Sequence, residues 1–443
     1  MIVATAIFGN AEKHINMLKT WCAGVWKNMP GATVKIYYSG LIRAVIDEIK
    51  QVFPVEFIET NTAIQRLPGT PNKMPIWEGI FNDETNYDKQ VIVSDCDMLI
   101  TANLEEVFNK EFDVAYTVAD KDFMPFVLNS GIIFVRMNDR ARTFLNNWCN
   151  TYKAEIRDKI NCLDFALLDL YGGWDQYALL LSITKDGTDV KLLGLPNSKY
   201  NLLRDWSQEY AEKASAIHYK SKWPEQLLEG KGKKVTKYPY SFGLWKKYQK
   251  LYNNKKSIYC KVNSLTDKCK SQQHVNQYKY TVDLILRKAP CNVLVFGCGN
   301  DSVFYVDANA GGRTVFIEDM AEYVGDKTEV YNYTYTTIRR DYRELFNKEQ
   351  SLMMDLPGDI KNTFWDIVLV DGPRGYQDDH PGRMQSIFTA AKIGENLLVH
   401  DCNRPVEDLY AKKYCGSLIK EIVPPQGHKR VILRHYRPVR AAV

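Results

Sequence analysis

Two carboxylates spaced by one residue, Asp95 and Asp97, close the apolar run Val91-Ile-Val-Ser. Read as a buried strand of a parallel sheet, that run ends where such sheets bind ligands, at the carboxyl edge. Two hard oxygen donors there suit Mg²⁺ or Mn²⁺, which in turn neutralises a diphosphate. Three later segments carry partners for such a site. Asn129-Ser-Gly131 turns into a second apolar run and offers an amide to hydroxyls. Gly173-Trp174-Asp175-Gln176 puts an acid and an amide at the start of a helix. Ala216-Ile-His218 brings an imidazole to a strand end, able to complete a metal site, and Lys220 and Lys222 follow it, able to hold phosphate.

A second constellation lies in the last third of the chain. Asn292-Val-Leu-Val-Phe runs into the turn Gly297-Cys-Gly299-Asn-Asp301-Ser302, where glycines admit a ligand close to the backbone. Glu318, followed by Asp319, closes the next strand and can take both hydroxyls of a ribose. NAD and S-adenosylmethionine sites share this layout. Ser302 stands where a pyrophosphate site has its third glycine, which tilts the reading towards S-adenosylmethionine. Asp371 ends the run Trp365-Asp-Ile-Val-Leu-Val, placed as an acid–base group facing a methyl donor. Arg374 and Arg383 suit a carboxylate or sugar hydroxyls, and His400-Asp401 ends another apolar run.

The elements that must position these residues alternate strands with amphipathic helices, the pattern of parallel α/β sheets. The first segment predicts strands over Ile2–Phe8, Thr33–Tyr38, Val55–Ile58, Gln90–Ser94, Val114–Val118 and Gly131–Arg136. The second predicts Asn292–Phe296, Arg313–Ile317, Ile367–Val370, Asn396–His400 and Arg430–Arg434. Between them, residues 220–288 carry 17 Lys and Arg against 4 Asp and Glu, read as a solvated basic connector or as a surface for an anionic polymer or membrane. A helix is predicted there over Leu244–Asn253, and another over His274–Lys288 opens the second α/β segment. The expected domains are therefore 1–225, a connector 226–284, and 285–443. No apolar run approaches the roughly 20 residues of a membrane span, and the N-terminus reads directly as a strand. Ten scattered cysteines without a Cys-x-x-Cys pair argue against zinc and disulfides. A reduced, cytoplasmic setting is expected, and nothing has the aromatic spacing of an RNA-binding motif.

In order and type, the first set of motifs resembles GT-A glycosyltransferases of the glycogenin and bacterial galactosyltransferase type. The resemblance implies a Rossmann-like mixed sheet, with Asp95, Asp97 and His218 as ligands of Mn²⁺ or Mg²⁺. It implies Thr5, Ala6 and Asn10 near the nucleotide base and Lys73 near donor phosphate. Asn129, Asp175 and Gln176 would line the sugar pocket, and Lys222 would hold the diphosphate. The family often has an acidic residue soon after the first strand; here Ile7-Phe8-Gly9 stands instead.

The second set resembles the plant polysaccharide-biosynthesis methyltransferases that 4-O-methylate glucuronic acid on xylan. Shared pieces include Val-Phe-Gly-x-Gly-x-Asp-Ser, Val-Asp-Gly-Pro-Arg-Gly-Tyr, Pro-Gly-Arg-Met and Val-His-Asp. The resemblance implies a Rossmann-like S-adenosylmethionine domain, with Gly297, Gly299, Asp301, Glu318 and Asp319 at the cofactor. Asp371, His400 and Asp401 are its catalytic candidates. A cysteine at 298 and the lack of the family's membrane anchor depart from it. The fusion resembles multi-domain glycan-synthesis proteins of large algal viruses.

These readings combine into a bifunctional enzyme. One part transfers sugar from a nucleoside diphosphate donor such as a UDP-sugar to a glycan acceptor; the other methylates a sugar hydroxyl. A nucleotidyltransferase in place of the first part, or a glycan-binding scaffold with degenerate sites, are the alternatives.

Overall fold

The computed structural model describes residues 1–60, 73–120, 128–157, 173–185, 189–203, 205–220, 223–268, 273–320, 322, 329–426 and 431–439. The chain divides into two compact units, Met1–Asn253 and Asn254–Val443. The stretch anticipated as a connector is largely helical, and the division falls within the helix Pro239–Lys268. That helix extends well beyond the anticipated Leu244–Asn253 at both ends.

Unit 1 is built on β1 (Ile2–Phe8), β2 (Thr33–Ser39), β3 (Val55–Glu59), β4 (Gln90–Asp95), β5 (Met98–Ile100), β6 (Val114–Val118), β7 (Leu128–Arg136), β8 (Leu192–Pro196) and β9 (Ala216–His218). Seven of these form one mixed sheet in the order β3-β2-β1-β4-β7-β6-β8. The chain builds outward from β1 through β2 and β3, then returns to the other side of β1 with β4. This reversal opens a crevice beyond the carboxyl ends of β1 and β4. The parallel register sets Ala6 opposite Asp95 there. β1, β4 and β7 are buried along nearly their whole length, which is why they read as unbroken apolar runs. Trp77, Phe81 and Trp148 pack below them, with Trp77 edge-on to Trp148 at 5.7 Å. Each such buried ring contributes about 1.5–3 kcal/mol. β5 and β9 make a separate antiparallel pair that sets Met98 opposite His218.

Unit 2 carries β10 (Asn292–Phe296), β11 (Arg313–Glu318), β12 (Glu329–Asn332), β13 (Trp365–Val370), β14 (Gly394–Val399), β15 (Ser417–Ile422) and β16 (Leu433–Arg437). They form a second sheet in the order β12-β11-β10-β13-β14-β16-β15. The first five are parallel, and β16 pairs antiparallel with β14 and β15. Again the order reverses beside the first strand, between β10 and β13. The last strand was expected over Arg430–Arg434 and runs instead over Leu433–Arg437, because Val399 pairs with Arg434 and Leu397 with Tyr436. The helix Val275–Lys288 starts where expected, with a reciprocal cap. Gln277 Oε1 accepts the His274 N–H at 3.0 Å, and His274 Nδ1 accepts the Asn276 N–H at 3.2 Å. Caps of this kind contribute about 1 kcal/mol. Both units are thus of the α/β class, with Rossmann-like, parallel-rich sheets.

Candidate functional site

In unit 1, β4 delivers Asp95 to the crevice, the turn after it delivers Asp97, and the β5–β9 pair swings His218 onto the same spot. One ligand atom from each lies within 4.8 Å of the others. His218 Nε2 stands 3.2 Å from Asp97 Oδ1 and 3.8 Å from Asp95 Oδ2. Its tautomer follows from a chain of hydrogen bonds. Gly131 N–H donates to Asn129 Oδ1 at 2.7 Å, which makes that oxygen an acceptor. Asn201 Nδ2 donates to the same oxygen at 2.6 Å and to Thr117 Oγ1 at 2.9 Å. Asn201 Oδ1 is therefore the atom facing His218 Nδ1 at 3.0 Å, and Nδ1 carries the hydrogen. In the neutral ring, Nε2 is left bare before two carboxylates. One imidazole nitrogen and two carboxylates without a hydrogen among them fit Mn²⁺ or Mg²⁺. Gly131 makes room for the ring, since a Cβ there would lie 2.6 Å from His218 Cε1 and Nδ1.

Lys73 reaches into the same cluster. Its Nζ lies 2.9 and 3.0 Å from the two Asp95 oxygens, 3.0 Å from Asp175 Oδ2 and 4.2 Å from the Trp77 ring centre. Burial disfavours this ammonium, but the Asp175 and Asp95 carboxylates outweigh it and hold its pKa above the ordinary lysine range. Asp175 also accepts from Ser130 Oγ, and its backbone carbonyl accepts from Trp148 Nε1 at 2.9 Å. Lys73, Asp175 and the metal candidates therefore form one cluster of contacting side chains, and the neighbouring Gln176 is buried. Three residues expected at the base are used locally or carry no polar side chain. Thr5 Oγ1 donates to Ser94 O at 2.8 Å. Asn10 ties two loops together, its amide donating to Gly40 O and accepting from Ile42 N–H, both at 2.7 Å. Ala6 lines the carboxyl end of β1. Lys222 lies outside the described residues. Lys220, read with Lys222 as able to hold phosphate, is described: burial pushes its ammonium down, and the carboxylates it feels are Asp175, Asp97 and Asp95.

In unit 2 a cleft of about 810 Å³ opens at the carboxyl ends of β10, β11 and β13. Gly297, Gly299, Asp301, Glu318, Asp319 and Asp371 all line it. Gly297 adopts φ +105°, and a Cβ on it would lie 3.0 Å from Gly372 N, so two loops meet at van der Waals distance. Glu318 accepts backbone N–H groups of Cys298 at 2.7 Å and Met320 at 2.9 Å, which fixes its carboxylate at the wall. Burial raises its pKa against those bonds. A glycine cradle, a fixed acid at the end of β11 and a cleft of this volume fit S-adenosylmethionine. Asp301 accepts from Tyr305 Oη at 3.0 Å. Burial and the nearby Asp371 charge push its pKa up to about 6.

Asp371, expected as the acid–base group, is held by three donors. Oδ1 pairs with His400 Nδ1 at 2.8 Å and Arg383 NH2 at 3.2 Å; Oδ2 accepts from Gln273 Nε2 at 2.7 Å. Burial alone would raise its pKa, yet His400, Arg383 and Gln273 together hold it far below the usual carboxylate range. These partners favour the ionised form of the carboxylate. His400 is 1 % exposed and sits behind Asp371, away from the cleft lining. Asp401 Oδ2 is paired with Arg383 at 3.0 Å and Arg404 at 2.9 Å. The guanidinium of Arg383 thus stands where a cation shared by Asp371 and Asp401 would stand. Asn201, Ser130 and Gln273 were not anticipated: each acts through a tertiary contact that leaves no spacing in the sequence. Tyr305 stands one helical turn after Asp301 and was legible in principle.

A family model described as IRX15/IRX15L/GXM matches residues 276–353 and 348–423. The chain is similar to glucuronoxylan 4-O-methyltransferase 2 of Arabidopsis thaliana, 32% identical over 206 residues, covering 40% of this chain and 69% of that one. It is also similar to Protein IRX15-LIKE of the same plant, 39% identical over 169 residues, covering 30% and 52%. Among solved structures, the galactosyltransferase LgtC in complex with donor and acceptor sugar analogues covers 50% of this chain and 87% of its own, at 11% identity and a TM-score of 0.36. Through its second unit, the chain belongs to the IRX15/IRX15L/GXM family.

Proposed function

We propose that the chain builds and caps a glycan: unit 1 transfers a sugar from a nucleoside diphosphate donor with the help of a divalent metal, and unit 2 O-methylates a sugar hydroxyl from S-adenosylmethionine. The observation that carries the first half is the meeting of Asp95, Asp97 and a Nδ1-protonated His218 at the reversal point of the sheet. A metal held there supplies charge neutralisation to a departing diphosphate. Lys73, Asp175 and Gln176 would hold the sugar and its phosphates beside it. The second half rests on the glycine cradle, on Glu318 and on relatives named as glucuronoxylan O-methyltransferases. There Glu318 would hold the ribose, and the fixed charge of Asp371 would face the sulfonium end of the cleft. Arg374 at the rim would contact the acceptor.

The test is a paired assay on the full chain. UDP release from UDP-sugars with Mn²⁺ and transfer of labelled methyl to an oligosaccharide are followed together. Asp97→Ala is expected to abolish the first and leave S-adenosylmethionine binding intact. Release of pyrophosphate in place of UDP would turn unit 1 into a nucleotidyltransferase. Absence of both activities and of cofactor binding would leave a scaffold.

A further inference from the structure

We infer that Tyr376, in the cleft of unit 2, is the platform on which the ring of the acceptor sugar stacks while one of its hydroxyls faces the methyl donor. The inference rests on the methyltransferase reading of unit 2 and adds a residue to it.

Three observations converge on Tyr376. First, its ring is left in water where a ligand would cover it. Tyr376 is 60% exposed, and among the described residues it alone of the large exposed hydrophobic side chains lines the cleft. Second, it lies at the acceptor end. The strands that meet the cleft run in the order β11-β10-β13-β14. Glu318 ends β11, Gly297 follows β10 and Asp371 follows β13. A cofactor with its ribose at Glu318 and its sulfonium at Asp371 spans the cleft in that direction. Arg374 and Tyr376 lie on the loop that leaves Asp371, and both line the same cleft. Third, the ring is held. The His380 ring stands at 86° to it, with 4.3 Å between ring centres, and His380 is itself buried. Gln377 N–H donates to His380 Nδ1 at 3.3 Å, and Arg339 N–H donates to the His380 carbonyl at 2.7 Å. Gly382 N–H donates to the Arg374 carbonyl at 3.0 Å and closes the loop.

A single apolar side chain exposed on an open surface is ordinary, but a fixed aromatic ring inside a polar cleft is placed for a ligand. A neighbour at right angles covers at most one face of a ring, so a face of Tyr376 stays open. A pyranose carries axial C–H bonds on its face and hydroxyls around its edge. The C–H face is apolar and stacks on an aromatic ring, while the edge keeps its hydrogen bonds. A sugar lying flat on Tyr376 presents that edge to the sulfonium end of the cleft. Arg374, two residues back on the same loop, stands beside it as a donor to the remaining hydroxyls.

The experiment uses the full chain saturated with S-adenosylhomocysteine, and two probes, methyl β-D-glucopyranoside and methyl β-D-glucuronoside. Saturation-transfer NMR is expected to reach the ring C–H protons of the probes in the wild type. The signal should fall at least about fivefold in Tyr376→Ala and stay within about twofold in Tyr376→Phe. Calorimetry should find S-adenosylhomocysteine affinity within about threefold of wild type in both variants. Should the alanine variant fail to fold, the wild-type protein still gives an answer. Irradiating aromatic protons should then saturate the probes at least about twofold more than irradiating methyl protons. An unchanged signal in folded Tyr376→Ala, or stronger transfer from methyl protons, overturns the assignment. A tenfold loss of S-adenosylhomocysteine affinity in that folded variant, about 1.4 kcal/mol, puts the ring against the cofactor and overturns it too. No transfer to either probe in a wild-type chain that binds S-adenosylhomocysteine overturns the stacking and leaves the methyltransferase reading standing. Failure of the wild type to bind S-adenosylhomocysteine overturns that reading itself, and this inference with it.

Discussion

Asn201 Oδ1 faces His218 Nδ1 at 3.0 Å, and this contact decides which nitrogen of the imidazole is left bare for a metal. The decision starts at the backbone, where Gly131 N–H orients Asn129, which orients Asn201. Replacing Asn201 by Leu keeps the bulk and removes the acceptor. Mn²⁺ affinity, measured by titration with paramagnetic relaxation, should fall about 10–100-fold. Asn201→Asp should retain most of it. Equal affinity in the leucine variant would mean that the ring is oriented by packing alone.

Gly131→Ala tests the same site sterically. The new Cβ would meet the His218 ring at 2.6 Å, and Asn129 Oδ1 at 2.8 Å. Overpacking of this kind costs about 1–3 kcal/mol. The variant should unfold at lower temperature and lose metal-dependent donor turnover, while S-adenosylmethionine binding in unit 2 is unchanged.

For unit 2, Asp371→Asn removes a charge that is already committed to three donors. We expect S-adenosylmethionine affinity to fall by about tenfold, because a cationic ligand loses its fixed counter-charge. At saturating cofactor, methyl transfer should keep the wild-type pH profile. A profile that loses its acidic limb in this variant would return the role of base to Asp371.

Asp301 gives the pH prediction. Its pKa in the folded chain is about 6, against an ordinary 3.8, so the folded state holds a proton that the unfolded state has released between those values. Stability therefore falls as pH rises through that window, and above it the ionised carboxylate costs roughly 1–3 kcal/mol. Asp301→Asn should raise the unfolding temperature clearly at pH 8 and only slightly at pH 4. The same variant should bind S-adenosylmethionine more weakly, since a carboxylate that is costly when empty is offset by a cation. Equal gains at both pH values would show that the effect is packing and not charge.

Much of this was legible because the chemistry sits at the ends of unbroken apolar strands. Asp95 and Asp97 follow β4, and Gly297 and Gly299 follow β10; in each case sequence alone placed them at a carboxyl edge. His218 was legible by type and order, but the three-residue strands β5 and β9 that carry it to Asp97 are too short to show a period. β15 escaped notice because nearly all of it is exposed. Asn201 and Gln273 are single amides in unremarkable surroundings, and their roles exist only once distant segments meet. Asp371 was legible by position, whereas the partners that set its acidity, His400, Arg383 and Gln273, converge on it from separate segments and were not.

Arg383 donates to the Pro373 and His400 carbonyls at 3.2 and 3.1 Å and pairs with both Asp371 and Asp401. One planar, 3 % exposed cation thus bolts together the loops that leave two neighbouring strands. The floor of the cleft is in consequence a truss with no slack: its dipoles and charges are set when the chain folds. A ligand arriving there finds its field already in place, and selectivity between ligands must come from the wall and the rim, where Asp301, Arg374 and Tyr376 stand.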